Sequence, residues 1–151
     1  SPRAPRLVVG RAGLVPPRAV AAPFGAGFAP AADTFVVTGG DESRGVDDLV
    51  GDVQRGLLVT SLWYIRTVDP MTLLLTGLTR DGVFLIEKGE VVGAVNNFRF
   101  NESPVDLLGR FSQASGTAPS FSREWGDYFP RTATPALRVP DFNMSTVPQA
   151  N

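Results

Sequence analysis

Short runs of β-branched and apolar residues, each closed by a turn signature, dominate residues 57–100 and restrict this stretch to strands with short connections. The pairs Asp69-Pro70 and Asp81-Gly82 are typical of chain reversals, and segment 87–90 is predicted to be another hairpin turn. The first run, Leu57 to Arg66, is apolar on both faces at its start, which indicates one long central strand. We therefore predict an antiparallel β-meander.

Two short helices are predicted on either side of the meander. The first covers residues 43–55, with Ser43 as its cap. Its apolar face, at helical spacing, consists of Val46, Leu49, Val50 and Val53. The second begins near Ser103, where a proline occupies the first helical position. Its core-facing side chains are predicted to be Val105, Leu108 and Phe111. The fold class is thus α+β, mainly antiparallel sheet with two short helices.

The two ends of the chain differ from the middle. Residues 1–32 contain six prolines, four arginines and no acid, which predicts a linker or a basic arm and argues against a central strand there. Residues 33–151 are predicted to form the single folded domain, with residues 34–38 as its first strand. Near the other end, two prolines make residues 133–142 an edge strand at best.

The sequence contains no histidine and no cysteine. Ser-His-Asp triads, Cys-His dyads, HExxH zinc sites and thiolate ligands are therefore excluded for this chain acting alone, and we predict no catalytic and no metal-binding residue in it. The net charge of −1 argues against a nucleic-acid partner. No apolar run approaches the roughly 20 residues of a membrane span, so no membrane association is expected.

Polar residues at the end of the predicted meander are the best candidates for a binding site. Asn96, Asn97, Arg99 and Glu102 combine amides, a guanidinium and a carboxylate, groups that can bind a peptide or a partner. The alternative is ordinary turn and cap hydrogen bonding. Trp63, Tyr64 and Arg66 could likewise form a recognition surface, although aromatic residues in a central strand more often belong to the core.

Two further groups of residues were weighed. The aromatic segment 123–129, with Trp125 and Tyr128, is expected either to cover the core or to dock on a partner. The carboxylates of Asp81, Glu87 and Glu90 could serve an independent carboxylate enzyme, but acids at hairpin turns are usually only solvated.

An ordered series of short motifs resembles the carboxy-terminal domain of the TldD/PmbA family. The series includes the run 55–60, then Asp69-Pro70, Thr76-Gly77, Gly82 and segment 87–90. The closing run 135–142 resembles the last strand of that domain, and runs 63–66 and 96–104 are similar to actinobacterial members. The matches cover about residues 34–147. The family's Gly-Asp-Phe-Ser-type stretch is replaced here by residues 76–80.

The resemblance implies a cytoplasmic metallopeptidase built from two subunits, which trims unfolded or small peptides. In that family a TldD-like subunit carries zinc through an HExxxH motif and a cysteine, whereas the TldE/PmbA-like subunit lacks metal. Without histidine or cysteine, and too short for the family's first two domains, this chain resembles the carboxy-terminal domain of the metal-free subunit. Zinc is therefore expected only in an HExxxH-bearing partner.

The resemblance leads to one functional hypothesis. The domain completes a chamber wall, docks the zinc subunit and holds peptide by strand addition, whose backbone hydrogen bonds tolerate many sequences. The candidate contacts are Arg66, Asn96, Asn97, Arg99, Glu102, Trp125 and Tyr128. The alternative is a stand-alone protein-interaction module without a peptidase role.

Overall fold

The computed structural model describes residues 6–9, 34–120 and 131–146, with residues 6–9, 34, 35 and 131 described by their backbone only. The first half contains β1 (Arg6–Val9), β2 (Thr34–Val36), α1 (Val46–Gly51), β3 (Arg55–Val59), β4 (Leu62–Asp69), β5 (Leu74–Thr79) and β6 (Val83–Glu87). The second half contains β7 (Glu90–Ala94), β8 (Arg99–Glu102), α2 (Pro104–Arg110), β9 (Gln113–Ala114), β10 (Ala118–Ser120), β11 (Arg131–Thr134), β12 (Leu137–Val139) and β13 (Met144–Thr146).

The described strands form three sheets. The central sheet has the order β7-β6-β3-β1-β12-β9, the outer sheet has the order β13-β8-β5-β4, and a small sheet has the order β10-β11-β2. Among the described strands, only the pairs β1–β3 and β11–β2 are parallel, and the other pairs are antiparallel. The predicted α+β class, mainly antiparallel sheet with two short helices, is confirmed.

Both faces of the central sheet are covered, because successive side chains of a strand alternate between faces. On one face Leu57 and Val59 pack with Phe100 of the outer sheet. On the other face Ile86 packs with Leu49 of α1. The domain therefore consists of three layers, with α1 and the outer sheet on opposite sides of the central sheet. Burial of each such side chain contributes about 1.5–3 kcal/mol of favourable transfer free energy.

The long strand predicted over residues 57–66 bends at Thr60-Ser61 and becomes two strands in two sheets. Its antiparallel neighbour bends opposite it: the Arg80 N–H donates to the Ser61 carbonyl at 3.0 Å, and the Thr60 N–H donates to the Gly82 carbonyl at 3.2 Å. Strands β3 and β6 therefore pair in the central sheet, and β4 and β5 pair in the outer sheet. The hairpin predicted at Asp81-Gly82 is wrong, since this turn carries the chain from one sheet to the other.

The other predicted reversals agree with the structure. The β4–β5 connection follows Asp69, and the β6–β7 connection is a two-residue turn in which Lys88 and Gly89 both have positive φ, of 53° and 83°. That turn also shortens α1. The N–H groups of Lys88 and Gly89 donate to the carbonyls of Gln54 and Val53, respectively, each at 2.8 Å. The chain after Asp52 is therefore not helical, and α1 ends at Gly51 instead of the predicted Arg55.

The predicted cap of α1 is also wrong. The N-cap residue is Gly45, whose N–H donates to the Asp48 carboxylate at 2.7 Å. The Ser43 hydroxyl instead donates to Asp41 at 2.6 Å.

Two strands occupy inner positions where the proline content argued against them. Strand β1 lies between β3 and β12, and β12 lies between β1 and β9, so neither is an edge strand. The physical reason is the position of the prolines: Pro5 precedes β1, and Pro135 and Pro140 lie just outside β12, so no ladder N–H is lost within either strand. Val139 in β12 is fully buried. Whether residues 1–32 form an arm separate from a domain over 33–151 stays a prediction.

Candidate functional site

The outward-facing side of the outer sheet carries most of the polar candidates. Residues directly opposite each other on paired strands project from the same face. Arg66 and Asn101 both lie opposite Thr76, and Trp63 and Arg99 both lie opposite Leu78. The alternate residues, such as Phe100, face the central sheet. We call this surface the outer face, formed by Trp63, Arg66, Thr76, Leu78, Arg99 and Asn101.

Arg99 and Thr76 form the centre of the outer face. Nη1 of Arg99 donates to the Thr76 hydroxyl across 3.4 Å, and that hydroxyl donates to the carbonyl of Phe100 at 3.0 Å. Arg99 is half-buried. Arg44, Arg80, Arg110 and Arg138 each lie within 4 Å of a carboxylate, whereas within the described part of the chain no carboxylate lies within 4 Å of the Arg99 guanidinium. The charge of Arg99 therefore faces a neutral hydroxyl.

Aromatic rings extend the outer face along β4. The Arg66 guanidinium lies 4.2 Å from the centroid of the Tyr64 ring, and the Arg80 guanidinium lies 5.2 Å from the centroid of Trp63. These are cation–π distances. Aromatic residues in a central strand more often belong to the core, but Tyr64 is exposed and does not.

The backbone of β4 is irregular at this point. Tyr64 has a φ of 55°, in the left-handed region that non-glycine residues rarely adopt, and the β4–β5 register shifts between Trp63 and Arg66. Such a conformation costs of the order of 1–3 kcal/mol and persists only where the surrounding structure holds it. Here it turns the Tyr64 ring toward solvent beside Arg66.

Asp69, the acidic residue of β4, accepts hydrogen bonds from the turn that follows it. Asp69 accepts the Met71 N–H at 2.9 Å and the Thr72 hydroxyl at 2.8 Å. The hydrogen bond from Thr72, followed by that from Met71, lowers the pKa of Asp69 below its ordinary value. This carboxylate therefore stays ionised at neutral pH and closes the β4–β5 turn.

The two candidate asparagines lie in the turn before β8. Both are exposed, and the Thr79 hydroxyl donates to Oδ1 of Asn97 at 3.2 Å while accepting the Phe98 N–H at 2.8 Å. Thr79 is almost completely buried, so this pair of hydrogen bonds holds the turn against the sheet. Asn96 projects from the same turn.

Glu102 lies on the opposite side of β8 from Arg99. It is buried, and its Oε1 accepts hydrogen bonds from the Arg110 guanidinium and, at 2.7 Å, from the Asn143 N–H. Arg110 also donates to the carbonyl of Pro140 at 3.2 Å. Glu102 thus links α2 to the chain before β13. Its proposed role in peptide or partner contact stays a prediction, and its position separates it from Arg66 and Arg99.

Several other expectations concern residues away from the outer face. Val105, Leu108 and Phe111 do not face the core but are exposed, because α2 packs against the core through Leu107. Trp125 and Tyr128 lie outside the described residues, so their predicted contacts stay predictions.

The carboxylates weighed for an independent enzyme lie at two separate turns. Asp81 lies at the sheet corner with Arg80 at 3.6 Å, whereas Glu87 and Glu90 lie opposite each other at the β6–β7 turn. Across residues 34–120 and 131–146 no group of three or more His, Cys, Asp or Glu side chains could hold a metal ion. No helix in the same residues is long and apolar enough to cross a membrane.

Comparison with protein families decides where this domain belongs. The family model described as the PmbA/TldA metallopeptidase C-terminal domain matches residues 16–146, which is most of the chain. The chain belongs to this family. A search of curated proteins found no match.

One solved structure supports the same fold for this PmbA/TldA domain. The crystal structure of TldE from Thermococcus kodakarensis has a TM-score of 0.54 and 23% sequence identity to it. The similarity covers 69% of this chain and 22% of that protein. The PmbA/TldA domain thus spans about a fifth of the length of TldE.

Only some residues of the outer face were predicted from sequence. Arg66 and Arg99 were predicted, and the structure brings them to either side of Thr76. Thr76 and Leu78 were not predicted. Asn101 belongs to the polar run 96–102 but not to its candidate contacts, although strand alternation places it on the same face as Arg99. Register between distant strands was the missing information.

Proposed function

We propose that this PmbA/TldA domain is the metal-free, TldE/PmbA-like part of a two-subunit cytoplasmic metallopeptidase. The zinc would be bound by an HExxxH-bearing, TldD-like partner. Zinc sites of peptidases use imidazole, carboxylate and thiolate ligands. This chain has no histidine or cysteine, and its described carboxylates form no ligand group, so its residues do not fit the metal. In this proposal the domain contributes binding surfaces and part of the chamber wall.

The observation that carries the proposal is the open outer face. It combines arginine side chains with exposed or half-buried aromatic rings, a composition enriched at protein interfaces. The opposite face of the same sheet is packed on the core, so the polar side chains are held by a rigid layer. We assign the outer face to docking of the partner subunit.

The edge strand β7 supports the peptide-binding part of the proposal. Among the described strands it pairs only with β6, and all five of its residues are exposed. A Cβ at Gly93 would meet nothing within 4 Å. An extended peptide can add to such an edge through backbone hydrogen bonds that do not depend on its side chains.

Val91 is a residue of β7 whose backbone faces the open edge. It lies opposite Ile86, next to the Glu87–Glu90 pair that closes the two-residue turn. Because hydrogen-bonded and non-hydrogen-bonded pairs alternate along an antiparallel ladder, the N–H and C=O of Val91 point away from β6. An added peptide strand would bond to these groups.

Replacement of Val91 with proline removes this outward N–H without removing a bond to β6. We expect V91P to weaken binding of a fluorescently labelled valine-threonine peptide about fivefold, the effect of one lost backbone hydrogen bond, as measured by fluorescence anisotropy. The matched control is V91T, which keeps the N–H and a β-branched side chain and should bind as the parent does. Equal affinities for both variants would contradict strand addition at β7.

The test of the two-subunit function is isolation of the protein, in its natural full length, from its own cells with a tag. The expected result is a stoichiometric partner with an HExxxH motif, and hydrolysis of short peptides by the pair but not by either subunit alone. Hydrolysis by the chain alone, or a stable complex in which no subunit has that motif, would contradict the proposal.

A stand-alone interaction module is the alternative, and α2 favours it. Val105 and Leu108 are three residues apart on this helix, and both are more than half exposed. Exposed apolar side chains grouped in this way are typical of interaction sites. In this case the isolated complex would contain a partner without HExxxH and would not hydrolyse peptides.

A further inference from the structure

The outer face offers its arginines in an arrangement that fits one class of ligand. We propose that this face binds a carboxylate-bearing protein segment, with Arg99 as the anchor and Arg66 as the second cationic residue. The inference rests on the proposed docking role of the outer face and specifies the chemistry of the partner. It assigns the ligand to glutamate or aspartate side chains, or to a chain's terminal carboxylate.

The Arg99 guanidinium is suited to a carboxylate ligand. A guanidinium has five N–H donors in a planar fork that matches the two oxygens of a carboxylate. Within the described part of the chain, Arg99 makes one long bond, of 3.4 Å, to the Thr76 hydroxyl. By contrast, Arg44, Arg80, Arg110 and Arg138 already lie within 4 Å of a carboxylate. Arg99 therefore has donors available for an incoming acid.

The register of the sheet brings Arg66 and Arg99 to the same face. Thr76 in β5 lies directly opposite Arg66 in β4, and Arg99 lies on the far side, in β8. Strand spacing separates the Cα atoms of the two arginines by about 12 Å, a distance that two arginine side chains can bridge to meet one acidic segment. The Arg66 guanidinium is positioned over Tyr64, 4.2 Å from the ring centroid. Arg66 and Arg99 thus both lie on the outer face, on either side of Thr76.

Charge complementarity also favours an acidic protein segment at the outer face. Two acids of the chain between β4 and β6 are already engaged: Asp69 closes the β4–β5 turn, and Asp81 lies 3.6 Å from Arg80. Leu78, half-buried between Trp63 and Arg99, supplies an apolar surface for neighbouring side chains of a protein segment. Nucleic acids need a broader basic surface, and the net charge of this chain is −1. A carboxylate-bearing protein segment fits better.

The test measures binding of two matched peptides to the full chain without any partner subunit. Both are fluorescently labelled and blocked at both ends, and one carries glutamates where the other carries glutamines. We expect the glutamate peptide to bind more tightly and to weaken with added NaCl, because exposed charge pairs are screened. A third peptide with glutamines and a free terminal carboxylate distinguishes a terminal acid from an acidic side chain.

The variant R99Q should bind the glutamate peptide about tenfold more weakly and leave the affinity of the glutamine peptide unchanged. R99K keeps the charge without the planar fork and should recover only part of the loss. The matched control is R55Q, which removes one charge from an exposed arginine of the central sheet and should change neither affinity. Far-UV circular dichroism verifies that each variant is folded.

Three results would overturn the inference. They are equal binding of both peptides by the parent, an equal loss in R55Q and R99Q, and tighter binding of a single-stranded oligonucleotide than of the glutamate peptide. If any of these occurs while an HExxxH-bearing partner is still isolated with the chain, the two-subunit function stands and only the carboxylate chemistry is rejected. If instead the chain still distinguishes the two peptides but no HExxxH-bearing partner is isolated with it, the carboxylate chemistry stands and the two-subunit function is rejected.

Discussion

Replacing Phe100 with alanine is expected to lower the free energy of unfolding by about 3–5 kcal/mol, a large part of the 5–15 kcal/mol typical of a domain. Phe100 is 3% exposed and lies in β8, where its ring meets Phe142 with centroids 5.7 Å apart. It belongs to the cluster that joins the outer sheet to the central sheet. Its removal leaves a cavity between the two layers, and the site residues Arg99 and Asn101 are its neighbours in the chain.

The effect is measured by urea unfolding followed by tryptophan fluorescence and circular dichroism. The control is F111A, because Phe111 is 41% exposed and its removal should change the free energy of unfolding by about 0.5 kcal/mol or less. Similar losses in F100A and F111A would show that the outer sheet does not pack on the central sheet through Phe100. A changed denaturant slope in F100A alone would indicate that the outer sheet unfolds separately.

Replacing Glu102 with alanine is expected to lower the free energy of unfolding by about 3 kcal/mol, because removal of one partner leaves a buried charge pair incomplete. Glu102 is the acceptor for both the Arg110 guanidinium and the Asn143 N–H. The Arg110 side chain is 30% exposed, so water can replace part of the lost interaction, which places the effect at the lower end of the range for buried pairs. E102Q keeps an acceptor oxygen and should lose less than E102A.

Thermal unfolding of E102A beside E90A tests this role, since Glu90 is exposed on the edge strand β7 and should change little. The same variants separate a structural role for Glu102 from the contact role predicted by sequence. A structural glutamate affects stability first and affects ligand binding only when the fold is weakened. A variant that is as stable as the parent but binds the glutamate peptide poorly would contradict the structural role.

The difference between Glu102 and Arg99 shows a limit of grouping residues by proximity in sequence. The run 96–102 was interpreted as one polar site, yet the side chains of a strand alternate between two faces. Residues 99 and 102 have opposite parity, so one lies on the outer face and the other is buried against Arg110. Residue types identify a polar run, and the pleat of β8 divides it into a surface part and a structural part.

Arg66 and Arg99 show that residues far apart in sequence can belong to one surface. They are distant in sequence, and nothing in their local patterns relates them. The strand order β8-β5-β4 and the pairing of Thr76 with Arg66 and Asn101 bring them to one strip of sheet. The exposed Tyr64 could not be predicted either, because its positive φ results from the register shift in β4, which depends on how β4 pairs with β5.

The strand runs were predicted well, but their assignment to sheets was not. A run that is apolar on both faces has the same pattern whether it stays in one sheet or bends from one sheet into another. The bend at Thr60-Ser61 is stabilised by hydrogen bonds to the chain at Arg80 and Gly82, about 20 residues later. Likewise, β12 has an inner position because β1 and β9 pair with both its sides, despite the prolines around it.

Residue types and their spacing therefore determine the α+β class, the places of the strand runs, and the lack of imidazole and thiolate chemistry in this chain. These properties follow from local backbone preferences and from the chemistry of single side chains. The tertiary structure decides which sheet each strand joins, that Arg66 and Arg99 share the outer face, and that Glu102 is turned away from it. Those properties depend on register between strands far apart in the chain, and register is set by the packing of the whole core.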